Sequence, residues 1–324
     1  MSTAARPSDT ISLLDRGDDY VRAGDPRSAM TFYQAALKTA GPSGASDARV
    51  APRLRSAQQF IQDRVADFQR SLDGVAARVE PEDEIARTRF RHAFEMLNGR
   101  REIHAQQPSV LYYPYLAQRQ FFEREEFDWV PTIEAATPAI REELLALVGE
   151  GADFRPYVED EQNRPVRQFH HLNNNPEWSA FYLWRDGKLV EDNARRCPRT
   201  VEALEKVPLS AIGSRTPAVL FSRLEAGAHI PPHHGMLNSR LICHLPIIVP
   251  SGCWLRVGNE TREWEEGKLL IFDDSMEHEA KNPTGDLRII LLFDIWRPEL
   301  TAAERQGISA IFDAIDSFQA LPEA

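Results

Sequence analysis

The stretch "HIPPHHGMLNSRLICHLPIIV", residues 229–249, decides the fold of the second half of the chain. It contains four of the nine histidines in the 324-residue sequence, and it ends in "RLICHLPIIV", an apolar run of strand-forming residues. Further short apolar runs, separated by turn residues, flank it: "AVLFSRL", "CWLRVG", "TREWEEG", "KLLIFDD" and "LRIILLFDIW". Strands at this spacing predict a β sandwich or a jelly-roll barrel, which we place within residues 108–324.

The first hundred residues differ and predict helices. In "LLDRGDDYVRAGDPRSAMTFYQAALKTAGP", residues 13–42, the small and aromatic residues have the spacing of a tetratricopeptide repeat: Gly17, Tyr20, Ala29, Tyr33 and Ala36, followed by Pro42. Leu13 stands where the consensus has tryptophan, so an ordinary helical hairpin is the alternative. An apolar stripe from Leu54 to Val75 and a stretch that runs from acidic to basic, residues 82–104, predict two further helices.

We therefore predict an α+β protein with two domains. Residues 1–107 form a helical, tetratricopeptide-like module that either holds a protein partner or packs on the rest of the chain. Residues 108–324 form the barrel, after a linker, "AQQPSVLYYPYLAQ", that contains prolines and aromatic residues.

Composition excludes several classes of protein. The formal net charge of −11 gives no basic footprint for nucleic acid, whose binding depends on Lys and Arg at phosphates. Three cysteines without paired spacing indicate reduced thiols rather than a disulfide framework or a zinc ribbon. The N-terminus has no apolar signal region, and no stretch approaches the length of a membrane span. We expect a cytoplasmic protein that binds neither nucleic acid nor membrane.

Three residues in the strand-rich half suggest a metal site. His233 follows a stretch marked by glycine and prolines that we interpret as a loop between strands, and His278 begins a later strand. Arg288 lies on the next long strand, where a guanidinium could bind a carboxylate. Two histidines with such an arginine suggest a non-haem Fe(II) site with a carboxylate-bearing co-substrate. On spacing alone, histidines that only satisfy buried hydrogen bonds explain the pattern equally well.

A longer pattern resembles the aspartyl/asparaginyl β-hydroxylase family of 2-oxoglutarate-dependent oxygenases. The residues that carry it run from 232 to 301: "PHHGMLNSRLICHLPIIVPSGCWLRVGNETREWEEGKLLIFDDSMEHEAKNPTGDLRIILLFDIWRPELT". Upstream, "WSAFYLWRDGKLVEDNARRCPRTVEALEKVP" and "FSRLEAGAHI" support it. The resemblance implies a double-stranded β-helix, or cupin-like, barrel that uses Fe(II), 2-oxoglutarate and O₂. It also implies hydroxylation of an aspartyl/asparaginyl or other amino-acid-like substrate, peptidyl, free or carrier-bound, with release of succinate and CO₂.

The resemblance also implies a role for each site residue. His233 and His278 are the implied iron ligands, and Gly235 stands where most such oxygenases carry a carboxylate ligand. Asp274 is the implied catalytic residue, an acceptor for a water beside the metal. The implied 2-oxoglutarate contacts come from Arg288, on the distal carboxylate, and from three further residues: Trp178, Ser222 and His244.

One departure from the family bears on the substrate. Where animal members carry an arginine that grips the substrate carboxylate, this chain has Ile242. An aliphatic side chain cannot form that ion pair, so an aspartyl residue is doubtful as the substrate. Arg240 either serves the co-substrate or forms an ordinary ion pair. His234 is expected to point away from the metal, because neighbours on an extended segment face opposite sides.

Two other functions stay open at this point. A 2-oxoglutarate-dependent halogenase is chemically close, since a glycine at the third ligand position is also what a chloride-binding centre needs. The other is a tetratricopeptide adaptor protein whose barrel is catalytically inactive.

Overall fold

The computed structural model describes residues 7–44, 47, 49–78, 83–159 and 172–319. The chain divides into two compact units, residues 1–102 and 103–324. The assignment of residues 1–107 and 108–324 as functional modules stays a prediction. None of the helices in the described part of the chain is long and apolar enough to span a membrane.

The first unit is helical, as predicted. Its helices are α1 Pro7–Arg22, α2 Pro26–Gly44, α3 Ala51–Ala76 and α4 Glu84–Leu97. Gly17 of α1 lies directly against the Tyr33 ring of α2, so a larger residue there would collide with the ring. The Tyr33 hydroxyl donates a hydrogen bond to Asp18 (2.7 Å). The predicted small and aromatic residues therefore lie where α1 and α2 meet, whereas the tetratricopeptide interpretation and a partner for this unit stay predictions.

The second unit contains all twelve strands of the described part of the chain. They are β1 Phe121–Phe122, β2 Arg155–Pro156, β3 Trp178–Arg185, β4 Lys188–Leu189, β5 Val219–Leu224, β6 His229–His233, β7 Arg240–Ile248, β8 Trp254–Val257, β9 Glu260–Glu263, β10 Leu270–Phe272, β11 His278–Lys281 and β12 Arg288–Trp296. The helices of this unit are α5 Val130–Ala135, α6 Thr137–Gly149, α7 Glu191–Ala194, α8 Pro198–Leu204 and α9 Ala302–Gln319.

The strands form two antiparallel sheets that face each other. The larger has the order β1-β10-β7-β12-β5-β3-β2, with β4 beside β3, and the smaller has the order β6-β11-β8-β9. One hydrophobic cluster, which includes Trp178, Ile230, Leu255 and Phe272, joins the facing sides of the sheets. Two antiparallel sheets around a common core are the jelly-roll arrangement, so the predicted α+β fold is confirmed.

The larger sheet is buried on both faces, which explains why its strands read as continuous apolar runs. On β7, Leu241, Cys243 and Leu245 belong to the cluster that also contains residues of α5, α6 and α8. The alternate residues of β7, Arg240, Ile242 and His244, face the other sheet, because successive side chains of a strand point to opposite sides.

Two local features differ from the sequence prediction or were missed by it. The segment around Pro231 and Pro232 is a strand, β6, rather than a loop; its position at the edge of the smaller sheet tolerates prolines that a central strand would not. The helix α9 was not predicted, although Thr301 and Glu304 carry its signal: the backbone N–H of Thr301 donates to the Glu304 carboxylate (2.8 Å), as in a capping box.

Candidate functional site

A cavity of about 320 Å³ lies between the two sheets. Its walls come from β3, β5, β6, β7, β8, β10, β11 and β12 and from segments next to them. All the site residues predicted from the sequence line it: Trp178, Ser222, His233, His244, Asp274, His278 and Arg288. The fold therefore brings together residues that are spread over more than a hundred positions of the chain.

His233 and His278 face each other across β6 and β11. They are direct register partners, and their ring centroids are 3.9 Å apart. The Nδ1 of His233 lies 2.7 Å from the carbonyl oxygen of Pro231, and the Nδ1 of His278 lies 3.0 Å from that of Met276. A carbonyl oxygen only accepts, so each Nδ1 carries the hydrogen and each Nε2 carries the lone pair.

Both rings are neutral at physiological pH. Burial, and then the neighbouring His278, lowers the pKa of His233 to about 3, and burial lowers the pKa of His278 to about 4. A neutral imidazole with its Nδ1–H bound to a carbonyl is the usual state of a histidine metal ligand. The pair thus fits a metal that accepts imidazole nitrogen.

Among the described residues, no third protein ligand joins the pair. Within the described ranges, no group of three His, Cys, Asp or Glu side chains is placed to hold a metal. At Gly235, a Cβ atom would lie 2.7 Å from Oδ1 of Asp274 and closer still to its Oδ2. The backbone N–H of Gly235 donates to the carbonyl oxygen of Asp274 (2.6 Å). The Asp274 carboxylate therefore fills the space that any side chain on residue 235 would need.

Asp274 belongs to a buried ionic cluster. Arg240 donates through Nη1 to Oδ2 of Asp294 (2.6 Å) and through Nη2 to Oδ2 of Asp274 (3.0 Å). Burial raises the pKa of both carboxyl groups, against the opposing effect of Arg240. Arg240 thus forms an ion pair, the second of the roles left open for it. Asp294 was missed from the sequence, although it shares the inner face of β12 with Arg288 at a period of two.

Arg288 is buried, and it forms no ion pair with any residue that the structure describes. Its Nη1 donates to the carbonyl oxygen of Ser222 (3.2 Å) and lies 3.4 Å from the Ser222 hydroxyl, which accepts from Nε1 of Trp178 (3.2 Å). Its guanidinium carbon lies 4.8 Å from the centre of the Trp264 ring. No carboxylate in the described part of the chain pairs with Arg288, and burial lowers its pKa to about 10. The geometry suits a ligand that brings a carboxylate.

His244 lies near Arg288 and is neutral. Burial, and then Arg288, lowers the pKa of His244 well below its ordinary value. Its ring packs edge-on against Phe272, with centroids 4.9 Å apart, and its Nδ1 has no hydrogen-bond partner among the residues described. A buried nitrogen of this kind is available to a polar ligand atom.

Other residues differ from expectation or were missed. His234 lines the same cavity instead of pointing away, because β6 ends at His233 and the alternation of faces ends with it. Tyr157, not singled out from the sequence, lines the cavity and stacks on Trp178, with ring centroids 4.0 Å apart. His229 pairs with Glu279 (2.7 Å) and is not part of the cavity lining. In the polar stretch "RQFHHLNNN", the sequence suggests that His170 and His171 are structural or surface residues at the rim of the site, and both lie outside the described residues.

Comparisons with known proteins give one consistent family. A family model described as aspartyl/asparaginyl beta-hydroxylase matches residues 134–298. The human aspartyl/asparaginyl beta-hydroxylase is 37% identical over 183 residues, which cover 56% of this chain and 23% of that protein. The human aspartate beta-hydroxylase domain-containing protein 2 is 32% identical over 222 residues, 67% of this chain and 57% of that protein. The ornithine lipid ester-linked acyl 2-hydroxylase of Rhizobium tropici is 35% identical over 191 residues, 58% of this chain and 64% of that protein. The chain thus spans less than two thirds of each of these relatives.

Proposed function

The chain belongs to the aspartyl/asparaginyl β-hydroxylase family, and on that premise we propose that it is an Fe(II)- and 2-oxoglutarate-dependent hydroxylase. The substrate proposed from the family is amino-acid-like. The names of the relatives extend from aspartyl and asparaginyl residues to the ester-linked acyl group of an ornithine lipid.

The observation that carries the proposal is Arg288. A fully buried guanidinium without a carboxylate partner is costly in an apolar interior unless a ligand supplies the opposite charge. 2-Oxoglutarate has a carboxylate at each end, so one can pair with Arg288 and the Ser222 hydroxyl while the other extends toward the histidines. The neutral Nδ1 of His244 and the Trp178 ring line the same end of the cavity.

The donor set fits iron. His233 and His278 would hold Fe(II) through Nε2, and the absence of a third protein ligand leaves positions for the co-substrate and O₂. Bound there, Fe(II) would supply the chemistry that couples oxidative decarboxylation of 2-oxoglutarate to hydroxylation of a substrate C–H bond.

The protein's own residues orient the reactants. The Pro231 and Met276 carbonyls fix the two imidazole rings through their Nδ1–H groups. Arg240 holds the Asp274 carboxylate in place through Oδ2. Oδ1 of Asp274 has no partner in the described ranges and is the acceptor that we propose for a water beside the metal.

The test is a comparison of two histidine variants. Anaerobically purified protein should bind one Fe(II) per chain and release succinate from 2-oxoglutarate, slowly even without substrate. His233→Ala should lose both properties, whereas His229→Ala, a matched change of a histidine that pairs with Glu279, should keep both. Iron binding or turnover by His233→Ala would contradict the ligand assignment. A wild-type protein that does neither would instead support the inactive adaptor.

The halogenase alternative has less support. A chloride in place of the missing ligand would lie beside the Asp274 carboxylate, which already fills the space next to Gly235, and like charges repel. We expect turnover in the presence of chloride to give a hydroxylated product by mass spectrometry, and a chlorinated product would reverse this choice.

A further inference from the structure

The cavity has two ends that differ in charge. Arg288 begins β12 and Asp294 lies six residues further along it, which is about 20 Å at the usual rise per residue. The Arg288 end holds a cation that no carboxylate in the described ranges neutralises. At what we call the Arg240 end, Arg240 and Asp274 line the cavity, and Arg240 also binds Asp294, which is not part of the lining. The Arg288 end is assigned to the co-substrate, so the Arg240 end is left for the substrate.

The Arg240 end has no net positive charge, although Nε of Arg240 has no hydrogen-bond partner among the described residues. Both Nη atoms of Arg240 are bound to carboxylates, at 2.6 Å from Asp294 and 3.0 Å from Asp274. One guanidinium faces two carboxyl groups, so the cluster has no net positive charge even when one carboxyl group binds a proton. A carboxylate on the substrate would be buried there beside like charges.

The wall next to this cluster is aliphatic. Ile242 lies between Arg240 and His244 on the inner face of β7, and its register partner on β12 is Asp294. Leu292 and Met236 line the same cavity. Burial on such a wall stabilises apolar groups and penalises an unpaired charge.

The cavity reaches the exterior at Ser109, which lines it and is exposed. Ser109 lines the cavity, and the next residue, Val110, donates its backbone N–H to the carbonyl oxygen of Met236 (3.0 Å). The side chains of Val110 and Tyr112 are more than half exposed, at 56% and 52%. They follow Ser109 by one and three positions, so apolar side chains are exposed close in the chain to a residue of the cavity wall.

We propose that the reacting segment of the substrate is an uncharged aliphatic chain, of the kind carried by an acyl amphiphile, which enters past Val110 and Tyr112 while its polar part stays outside. An aspartyl side chain is rejected in spite of the family's name. The proposal rests on the hydroxylase function proposed above, because it concerns the charge that the same site accepts.

The experiment compares two amphiphiles that differ in one terminal group. N-octanoyl-N-methylglucamine has a bulky polyol head that stays outside and an alkyl chain that ends in a methyl group; its analogue ends in a carboxylate. The full-length protein is first shown to bind Fe(II) and to turn over 2-oxoglutarate without substrate, and failure at this stage refutes the hydroxylase function rather than the charge selection. In protein that passes, the uncharged amphiphile should stimulate succinate release at least tenfold more than the carboxylate analogue, with a product heavier by one oxygen.

Each of three results would overturn the proposal. They are equal or greater stimulation by the carboxylate analogue, no stimulation by the uncharged amphiphile, and stronger stimulation by an aspartyl peptide than by either amphiphile.

Substitutions at the Arg240 end test whether its charge determines which amphiphile is preferred. Ile242→Arg adds a cation beside the cluster and should shift the preference at least tenfold toward the carboxylate analogue, whereas Ile242→Met, matched in size and uncharged, should keep the original preference. If Ile242→Arg does not fold, Asp294→Asn removes one negative charge with little change of shape and should narrow the preference several-fold. A preference that stays the same in the folded charge-changing variants would refute selection by charge.

Discussion

The two ends of the cavity each contain a buried arginine, and the two arginines are in opposite states. Arg240 is held by Asp274 and Asp294, and these carboxylates raise its pKa above the ordinary value in spite of burial. Arg288 has no carboxylate partner in the described ranges, and burial lowers its pKa to about 10. We therefore propose that the same residue type stabilises the fold at one end and binds the co-substrate at the other.

This difference predicts that one substitution has opposite effects on stability at the two ends. A residue whose charge is compensated within the protein is needed for folding. A buried charge that only a ligand neutralises destabilises the protein when no ligand is bound. Substitution of each arginine by methionine, which has a similar length and no charge, tests the comparison directly.

The largest effect is expected for Arg240→Met. It would leave the buried carboxyl groups of Asp274 and Asp294 without their cation, and breaking a buried pair in this way costs about 3 to 5 kcal/mol. We expect urea unfolding to show this loss in the metal-free protein. Asp274→Asn combined with Asp294→Asn should recover part of the loss, and a folding free energy unchanged by Arg240→Met would contradict the assignment of this end.

Arg288→Met should act in the opposite direction on stability. Removal of a buried, unpaired charge should stabilise the metal-free protein, by about 1 kcal/mol. The affinity for 2-oxoglutarate should fall by about 2 to 4 kcal/mol, or roughly 30- to 1000-fold, because the co-substrate carboxylate loses its partner. Calorimetric titration of 2-oxoglutarate measures the second effect. Arg288→Lys keeps the charge but lacks the planar guanidinium group, so its affinity for 2-oxoglutarate should lie between those of the wild type and Arg288→Met. Wild-type affinity in Arg288→Met would refute the assignment of Arg288 to the co-substrate.

The fold could be predicted largely from strand patterns, whereas the ionic cluster could not. Apolar runs such as residues 240–249 identify strands that are buried on both faces, because no polar face interrupts them. The sequence predicts a loop where the structure has the edge strand β6, because Pro231 and Pro232 lack the backbone N–H groups of a normal strand. Only an edge strand, which is paired on one side, tolerates them.

The site residues show the same limit. The spacing of His233, His278 and Arg288 suggests a site, since all lie at strand positions that can share one interior. The pairing of Arg240 with Asp294 depends on the register of β7 and β12, in which Asp294 lies opposite Ile242 and diagonal to Arg240. Register between strands so far apart in the chain is set by tertiary packing, and a single sequence does not contain it in readable form.

The histidine pair should make the metal-free protein sensitive to acid. The ordinary pKa of 6.5 applies when the chain is unfolded, and in the fold the pKa of His233 is lowered to about 3. The stability that comes from keeping this ring neutral is therefore present above pH 6.5 and is lost as the pH falls toward the folded value, by up to about 1.4 kcal/mol per pH unit. When the pH falls from 6.5 to 5, the free energy of unfolding should decrease in the wild type by about 2 kcal/mol more than in His233→Gln. Urea midpoints measured in the presence of a chelator check this, with His229→Gln as the matched control, and equal slopes for wild type and His233→Gln would contradict it.

The smallest effect tests whether the Arg240 end is also fixed by shape. Gly235 does not have a left-handed backbone conformation. A side chain is excluded at this position because a Cβ atom would overlap the Asp274 carboxylate. Gly235→Ala should cost about 1 to 2 kcal/mol, as other overpacked sites do. Gly285→Ala, at a position where a Cβ meets nothing within 4 Å, should cost little. In an Asp274→Ala background the cost of Gly235→Ala should fall below about 0.5 kcal/mol, so that a double-mutant cycle by urea unfolding gives a coupling of more than about 0.5 kcal/mol between the two positions. Additive effects would mean that the Asp274 carboxylate moves aside without cost. The position of this carboxylate at the Arg240 end would then be set by its ion pair with Arg240 and not by packing.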